Sequence, residues 1–231
     1  MKTSNEISSC KTCVYRKLLF DSLTDEEYLM VNKSRKEFIY SRGEIIRKEG
    51  DSIDSFIYLR SGLIKLYKTD KNGKDHILSL NKSGDFISLL SIFSNSEYKY
   101  SIAAVEETKI CVIDLNSLRQ AVDTNSKFAL RVLNRMSRVS DDIIESQFEI
   151  RQRQVKGRIA YFLLFLTNKI YRSHEFRLPI TRREIGELIS MTTENTIRTL
   201  SEFKKDGIIS MDGRTINILD YERIKGISNT G

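Results

Sequence analysis

The chain has 231 residues, of which 40% are hydrophobic and 30% charged, and a formal net charge of +7 at pH 7. This composition is typical of a folded globular protein and excludes extended disorder, while a single proline excludes a proline-rich scaffold. No apolar run approaches the roughly 20 residues of a membrane span, and residues 1–9 lack the apolar core of a secretory signal, so we expect a cytoplasmic protein without membrane contact.

The positive charge is concentrated in the C-terminal third of the chain. Residues 151–231 contain 15 Lys and Arg against 9 Asp and Glu, whereas residues 1–150 contain 23 against 22. A segregated basic segment favours a dedicated domain for a polyanion such as double-stranded DNA, and a solvated charged face is the alternative.

Residues 1–124 are predicted to form the first domain. It begins with a helix whose start is indicated by Thr24 followed three residues later by Glu27. Between residues 38 and 115, short runs rich in β-branched and aromatic residues alternate with glycines about a dozen residues apart. This pattern is typical of an antiparallel sandwich or barrel, and Asn72-Gly73 is a strong hairpin signal.

Residues 125–153 contain neither Gly nor Pro and are predicted to form one long helix. A seam with 4-3-4-3-4 spacing predicts a parallel two-fold dimer, and a helix that packs this stripe on the β-rich domain is the alternative. Further apolar residues widen the stripe, so that one face can pack on the β-rich domain while the seam meets a second copy. The widening residues are Phe128, Leu133, Ile144 and Phe148. The seam residues are Val132, Met136, Val139, Ile143, Ser146 and Ile150.

Residues 154–231 are predicted to form a winged helix-turn-helix domain. After a core helix, the polar segment 172–177 is predicted to be a loop. Thr181 and Glu184 form a capping box that opens a short helix, and a second helix runs from about Thr193 to Lys205 and is terminated by Gly207. Two strands then flank an Asp-Gly turn at residues 212–213, which completes the wing.

The second helix of this motif has the pattern of a DNA recognition helix. Its spacing turns Thr196, Leu200 and Phe203 inward. The opposite face carries side chains that can read bases, since Arg bonds guanine, Glu accepts from cytosine and Ile contacts a thymine methyl. An ion pair that only stabilises the helix, between positions 194 and 198, is the alternative. The predicted base-reading residues are Thr193, Glu194, Ile197 and Arg198.

Basic side chains on the flanking segments are predicted to contact phosphates, which positions a protein on DNA without reading sequence. These residues are Arg182, Arg183, Lys204, Lys205 and Arg214.

The whole arrangement resembles the Crp/Fnr family of bacterial transcription regulators. The resemblance rests on the glycine-punctuated β-rich domain, Gly84-Asp85-Phe86, the long helix and residues 180–218. It implies an α+β fold with an N-terminal antiparallel β-roll (a jelly roll like that of cyclic-nucleotide-binding domains), a dimerisation helix and a C-terminal winged helix-turn-helix. It also implies a homodimeric, sequence-specific activator that binds a pseudo-palindromic site and contacts RNA polymerase.

The resemblance also assigns individual DNA contacts. Glu194 and Arg198 match base-reading positions of the family, whereas Thr193 replaces another base-reading Arg, so the half-site is expected to differ there. The positions that match phosphate contacts are Thr181, Arg182, Thr192, Asn195 and Arg214.

The effector pocket implied by the resemblance is degenerate. Cyclic-AMP-binding members hold the ribose with a Glu and the phosphate with an Arg, and here these positions are Leu89 and Tyr100. Because a buried phosphate without its cation is costly, we expect no binding of cyclic AMP. The positions that correspond to the pocket are Gly84, Asp85, Ser88, Leu89, Leu90, Tyr100 and Ser101.

The three cysteines leave the cofactor unknown. Oxygen-sensing members of the family hold a [4Fe–4S] cluster on three N-terminal cysteines and one in the β-roll. Cys10, Cys13 and Cys111 match three of these positions, but the fourth is Leu19, which cannot ligate iron. Three alternatives are open: a cluster completed by Asp21 or another oxygen, an inert relic, or an oxidation-sensitive thiol pair at positions 10 and 13. Either the cluster or the thiol pair would make this a redox- or oxygen-responsive regulator.

Two other classes of function are less consistent with the sequence. An enzyme on a cupin-like barrel usually needs a histidine-rich metal site, but the two histidines, His76 and His174, belong to different predicted domains. No phosphate-binding loop or nucleophile motif occurs, so we expect no enzymatic activity. A ligand-sensing subunit that binds protein instead of DNA does not explain the basic C-terminal third.

Overall fold

Two compact units make up the chain. The computed structural model describes residues 2–3, 16–87, 89–94 and 96–230. The first unit comprises residues 1–75 and 79–141, and the second comprises residues 76–78 and 142–231. No helix in the described ranges is both long enough and apolar enough to cross a membrane.

The first unit is built on two four-stranded antiparallel sheets, which gives the predicted β-roll; of the strands in these sheets, only residues 76–78 are counted with the second unit. In chain order, the strands are β1 (Lys2–Thr3), β2 (Lys36–Tyr40), β3 (Ile45–Arg47), β4 (Ser55–Ser61), β5 (Leu63–Thr69), β6 (Asp75–Lys82), β7 (Ser101–Ala104) and β8 (Thr108–Asp114). The strand order is β1-β2-β8-β4 in one sheet and β3-β7-β5-β6 in the other. The central position of β8, between β2 and β4, places its apolar residues in the core of the unit.

A tight turn between β4 and β5 shows why glycines divide this domain into strands. Gly62 has φ of +90°, a conformation that L side chains rarely adopt. A Cβ atom there would also collide with the carbonyl oxygen of Glu107 and with Thr108. Glycine at this position therefore allows two buried strands to follow each other with one residue between them.

Helical segments cover the core of this first unit. A π-helical turn (Arg16–Phe20) buries Leu19 and Phe20, and α1 (Asp25–Asn32) starts at the capping box predicted from Thr24 and Glu27. Helix α2 (Leu115–Thr124) directly follows β8, and α3 (Ser126–Arg151) is the predicted long helix. The aromatic ring of Phe128 in α3 stacks on that of Phe20, with centroids 5.8 Å apart.

The first half of the predicted dimer seam of α3 packs within its own unit, as in the alternative stated for this helix. Val132 is 2% exposed, and Met136 and Val139 pack on the same β-roll core, so the first half of the predicted dimer seam serves its own unit. At 100° per residue these residues lie on one side of the helix, with Phe128. In the second half of the seam, Ile143 is 48% exposed and Ile150 is buried. The apolar residues left exposed on the other side are Leu130, Leu133, Ile144 and Phe148.

The second unit contains a helical bundle and a small sheet. In chain order its elements are α4 (Val155–Phe165), a π-helical turn (Leu166–Tyr171), β9 (Glu175–Arg177), α5 (Arg182–Leu188), α6 (Thr193–Lys205), β10 (Ile209–Asp212), β11 (Thr215–Ile218) and α7 (Tyr221–Thr230). The hairpin of β10 and β11 is confirmed. The predicted loop at residues 172–177 is wrong in part, because β9 pairs with β11 and makes a three-stranded sheet.

Candidate DNA-binding site

The turn between α5 and α6 is held by close packing at Gly186. A Cβ atom at this glycine would lie 2.8 Å from the carbonyl oxygen of Met191 and 3.0 Å from Oγ1 of Thr196. The backbone N–H of Met191 donates to the carbonyl of Gly186 at 2.7 Å, and Ser190 adopts φ of +56°. The close approach and the short turn fix where α6 begins.

Both helices of the motif begin at a threonine cap. The hydroxyl of Thr181 accepts from the backbone N–H of Glu184, whose carboxylate accepts in return from the backbone N–H of Thr181 at 2.8 Å. The hydroxyl of Thr192 accepts from the N–H of Asn195 at 3.1 Å. The two threonines predicted to touch phosphates therefore also define where the helices start.

Helix α6 has one buried and one exposed face. Thr196, Thr199, Leu200 and Phe203 are at most 1% exposed, which fixes the helix against its own unit. The predicted base-reading residues lie on the exposed part of the same helix. They are Thr193, Glu194, Ile197 and Arg198. This confirms the orientation of α6 that the spacing predicts.

Arg198 does not form the predicted alternative ion pair with Glu194. Its Nη2 atom donates to Oδ1 of Asn195 at 2.9 Å, and its Nε atom lies 4.0 Å from Oε1 of Glu202. Glu202 in turn forms an ion pair with Lys156, at 2.9 Å between Nζ and Oε2. Glu194, one turn before Arg198, is left exposed to solvent.

Three of the predicted phosphate-contacting side chains hold the wing in place. Arg182 donates to the carbonyl of Gly213 at 2.8 Å, and Lys204 donates to the carbonyl of Met211 at 3.0 Å. Arg214 donates to the carbonyl of Leu178 through Nε and Nη2. Since a carbonyl carries no net charge, the contacts of Arg182 and Lys204 orient these cations without neutralising them.

The remaining basic residues predicted to contact phosphates are exposed. Arg183 lies 3.9 Å from a carboxylate oxygen of Glu187, one turn further along α5, and Lys205 ends α6.

In the β-roll, the positions predicted to correspond to a cyclic-nucleotide site are occupied by packing residues. Leu89 is 1% exposed and belongs to the core. The hydroxyl of Tyr100 lies 3.2 Å from Oγ of Ser91 and donates to the carbonyl of Ile87 at 3.3 Å. Burial raises the pKa of Tyr100, so the group at the phosphate position is a neutral phenol.

The other pocket positions belong to turns and strands. Gly84 has φ of +93°, a carboxylate oxygen of Asp85 accepts from the N–H of Lys82, and Oγ of Ser101 accepts from the N–H of Glu49. Leu90 is partly buried, and Ser88 lies outside the described residues.

The surroundings of Cys111 fit a neutral thiol in a protein core. Its side chain is fully buried, and burial raises the pKa of the thiol. A guanidinium nitrogen of Arg35 lies 3.6 Å from the sulfur, and an oxygen of Glu37, which pairs with Arg60, lies at 3.9 Å.

The described part of the candidate iron–sulfur site does not fit ligation. Leu19 is fully buried in the hydrophobic core, and the carboxylate of Asp21 is engaged by Arg131. Cys10 and Cys13 lie outside the described residues. Within the described ranges, no group of three or more His, Cys, Asp or Glu residues is arranged to hold a metal ion.

A double-sheet β-roll, a long helix and a winged helix with an exposed recognition face define a DNA-binding transcription regulator with a sensor-type domain. Residues 37–125 match the family model of the cyclic nucleotide-binding domain, and residues 157–227 match that of the Crp-like helix-turn-helix domain. The chain belongs to the Crp/Fnr family of transcription regulators. Members of this family are regulators, not enzymes.

Curated relatives support the same assignment. The chain is 30% identical over 187 residues to electron transport regulator A of Shewanella oneidensis. The aligned region covers 79% of this chain and 74% of the relative. It is 26% identical to the anaerobic regulatory protein of Haemophilus influenzae, over 96% of this chain and 88% of the relative. It is also 26% identical to the transcriptional activator protein anr of Pseudomonas aeruginosa, over 91% of this chain and 88% of the relative.

Solved structures share the fold. FixK2 from Bradyrhizobium japonicum superposes with a TM-score of 0.73 at 22% identity, covering 84% of this chain and 96% of that one. A putative Crp/Fnr-family regulator from Eubacterium rectale superposes with a TM-score of 0.75 at 20% identity, covering 91% and 97%.

Proposed function

We propose that this regulator acts as a homodimer that inserts α6 of each copy into the major groove at the two halves of a pseudo-palindromic site. The proposal rests on one observation above all, the outward orientation of four side chains on a helix whose other face is buried. In this role Thr193, Glu194, Ile197 and Arg198 touch base edges.

The residues around α6 hold the DNA backbone in this proposal. Two of the cations, Arg182 and Lys204, are fixed by carbonyl groups and so keep their charge for the phosphates, and neutralised phosphates make the affinity depend on salt. The phosphate-contacting set is Thr181, Arg182, Arg183, Thr192, Asn195, Lys204 and Arg214.

A second copy of the chain is the partner that fits the exposed face of α3. Four large apolar side chains on this face are between 57% and 67% exposed, which is unusual for one helix of a protein that stays monomeric. The winged helix also presents a single recognition helix, whereas a palindromic site needs two related by a two-fold axis. The face consists of Leu130, Leu133, Ile144 and Phe148.

The β-roll of this regulator is proposed to respond to a signal other than cyclic AMP. Leu89 and the hydrogen-bonded Tyr100 support this, because neither supplies the carboxylate or the cation that the nucleotide needs. We further propose a division into a sensor domain (1–124), a dimerisation helix (125–153) and a DNA-binding domain (154–231). We also propose action in the cytoplasm through contact with RNA polymerase, as an activator like the relative from Pseudomonas aeruginosa.

Selection of duplexes from a random pool, followed by gel-shift titration, tests the proposal. We expect the full-length protein to select a pseudo-palindrome with half-site centres about 34 Å apart and to lose affinity steeply as salt rises. The stoichiometry should be two chains per duplex. Selection of unrelated sequences, or saturation with one chain per duplex, would contradict the proposal.

A further inference from the structure

Arg198 is held by two neighbours on its own helix, and their contacts fall on one edge of its guanidinium group. Asn195, three residues earlier, accepts a hydrogen bond from Nη2, and Glu202, four residues later, forms an ion pair at Nε. These spacings place all three side chains on the same side of the helix. Both contacts therefore use the edge of the guanidinium that carries Nε and Nη2.

The opposite end of the guanidinium remains available. Among the residues that the structure describes, none accepts a hydrogen bond from Nη1 of Arg198, and the side chain is 63% exposed. An arginine reads guanine through two parallel N–H donors that face O6 and N7. Nε and one proton of Nη2 are turned towards the protein. The donors that remain available to a base are therefore those of Nη1 and the second proton of Nη2.

Glu202 is itself anchored, which makes it a fixed reference for Arg198. Its other carboxylate oxygen lies 2.9 Å from Nζ of Lys156 at the start of α4. The hydrogen bond from Lys156, with further help from the charges of Lys156 and Arg198, lowers the pKa of Glu202, so the carboxylate stays ionised.

We propose that Asn195 and Glu202 are positioning residues that orient Arg198 for end-on recognition of one guanine. The inference rests on the proposed base-reading role of Arg198. It replaces the phosphate contact proposed above for Asn195 with a positioning role, and it gives Glu202 a part in specificity although Glu202 need not touch DNA. A preorganised side chain loses less conformational entropy when it binds. Its orientation therefore increases the affinity for the base pair that Arg198 reads, relative to other base pairs.

The test compares Glu202→Gln, Asn195→Ala and Arg198→Ala in the full-length protein. The probes are the duplex selected by the wild-type protein and a set of duplexes in which one base pair at a time is changed symmetrically. For each variant, the measured quantity is the ratio of the dissociation constants for the changed and the selected duplex. Glu222→Gln, which removes the same charge from an exposed position of α7, is the matched control.

Arg198→Ala is expected to bring this ratio close to one at a single base pair, which identifies the guanine that Arg198 reads. Glu202→Gln and Asn195→Ala should lower the ratio at that base pair roughly two- to fivefold, the size typical of exposed pairs, and at no other. In the Arg198→Ala background neither change should lower it further, and Glu222→Gln should not alter it in any background.

Several outcomes would overturn the inference. If Glu202→Gln raises the affinity for every duplex as Glu222→Gln does, Glu202 acts only through its charge. If Asn195→Ala weakens all duplexes equally and still does so without Arg198, Asn195 is a phosphate contact. A failure of the proposed function gives a different result, because then the wild-type protein selects no sequence, or Arg198→Ala weakens all duplexes alike.

Discussion

The recognition helix and the effector region of the β-roll use polar side chains in opposite ways. On α6, Glu194 and Arg198 face outward, and no buried group depends on them. In the β-roll, Tyr100, which is predicted to replace a phosphate-binding arginine, turns its hydroxyl inward to Ser91 and Ile87, and Leu89 is part of the core. The partners of the polar side chains thus distinguish the two regions. On α6 these side chains point to solvent and can meet a ligand, whereas in the β-roll they bond to buried groups of the protein itself.

The largest difference between the two regions is expected from placing a carboxylate in each. Leu89→Glu buries an unpaired charge and should lower the free energy of unfolding by about 3 kcal/mol or more. Ile197→Glu, at a site that is 46% exposed, should change stability by less than about 0.5 kcal/mol but weaken DNA binding through repulsion by phosphates. Urea unfolding and gel-shift titration measure the two effects. Equal loss of stability in both variants would remove the distinction.

A second prediction concerns the exposed apolar face of α3. The double variant Leu130→Asp, Phe148→Asp should weaken dimerisation by about 100-fold, since two charges per chain would be buried at the interface, while each monomer stays folded. Sedimentation equilibrium gives the dissociation constant. Met30→Asp, at an apolar residue of α1 with the same exposure of about 60%, is the control and should leave it unchanged. A similar effect of both changes would exclude α3 as the specific interface.

The buried phenols of the β-roll predict a loss of stability at alkaline pH. Burial raises the pKa of Tyr98 to about 12, whereas the unfolded chain releases this proton near pH 10. Above pH 10 the unfolded state therefore binds fewer protons, and stability should fall by about 1.4 kcal/mol between pH 8 and pH 11 from this residue alone. Tyr98→Phe should remove that part of the slope in urea unfolding.

The smallest effect is expected at Cys111. Cys111→Ala removes a buried sulfur and should cost about 1 kcal/mol of stability. Because this thiol is neutral and enclosed, any difference in DNA binding between air and nitrogen should be the same for both proteins. Iron bound after anaerobic reconstitution should also be equal in both. Iron that is present in the wild-type protein and absent from the variant would show that Cys111 is a ligand.

Local signals in the sequence predict much of this structure. The capping boxes at Thr24 and Thr181 and the Asp-Gly turn of the wing each involve residues within four positions of one another, so they can be found by inspection. The exposed face of α6 follows from the spacing of its buried residues. The contacts of Arg198 with Asn195 and Glu202 also have helical spacing, although spacing alone does not decide whether Arg198 pairs with residue 194 or 202.

Features that depend on distant partners were not predictable in the same way. Strand β9 is a polar segment that reads as a loop, and it becomes a strand only because β11, about forty residues later, pairs with it. The two faces of α3 are both apolar, and only packing on the β-roll distinguishes Val132 from Leu133. In each case the deciding interaction joins residues far apart along the chain.

The separation of α6 into an inner and an outer face has a consequence for how such regulators diversify. The side chains that anchor the helix, such as Leu200 and Phe203, are buried, and they are distinct from the four outward side chains that we propose to contact the bases. Exchange of the four outward residues can therefore redirect the protein to a different operator without a compensating change in its interior. A few substitutions on a single helix can in this way bring a different set of promoters under the control of the regulator.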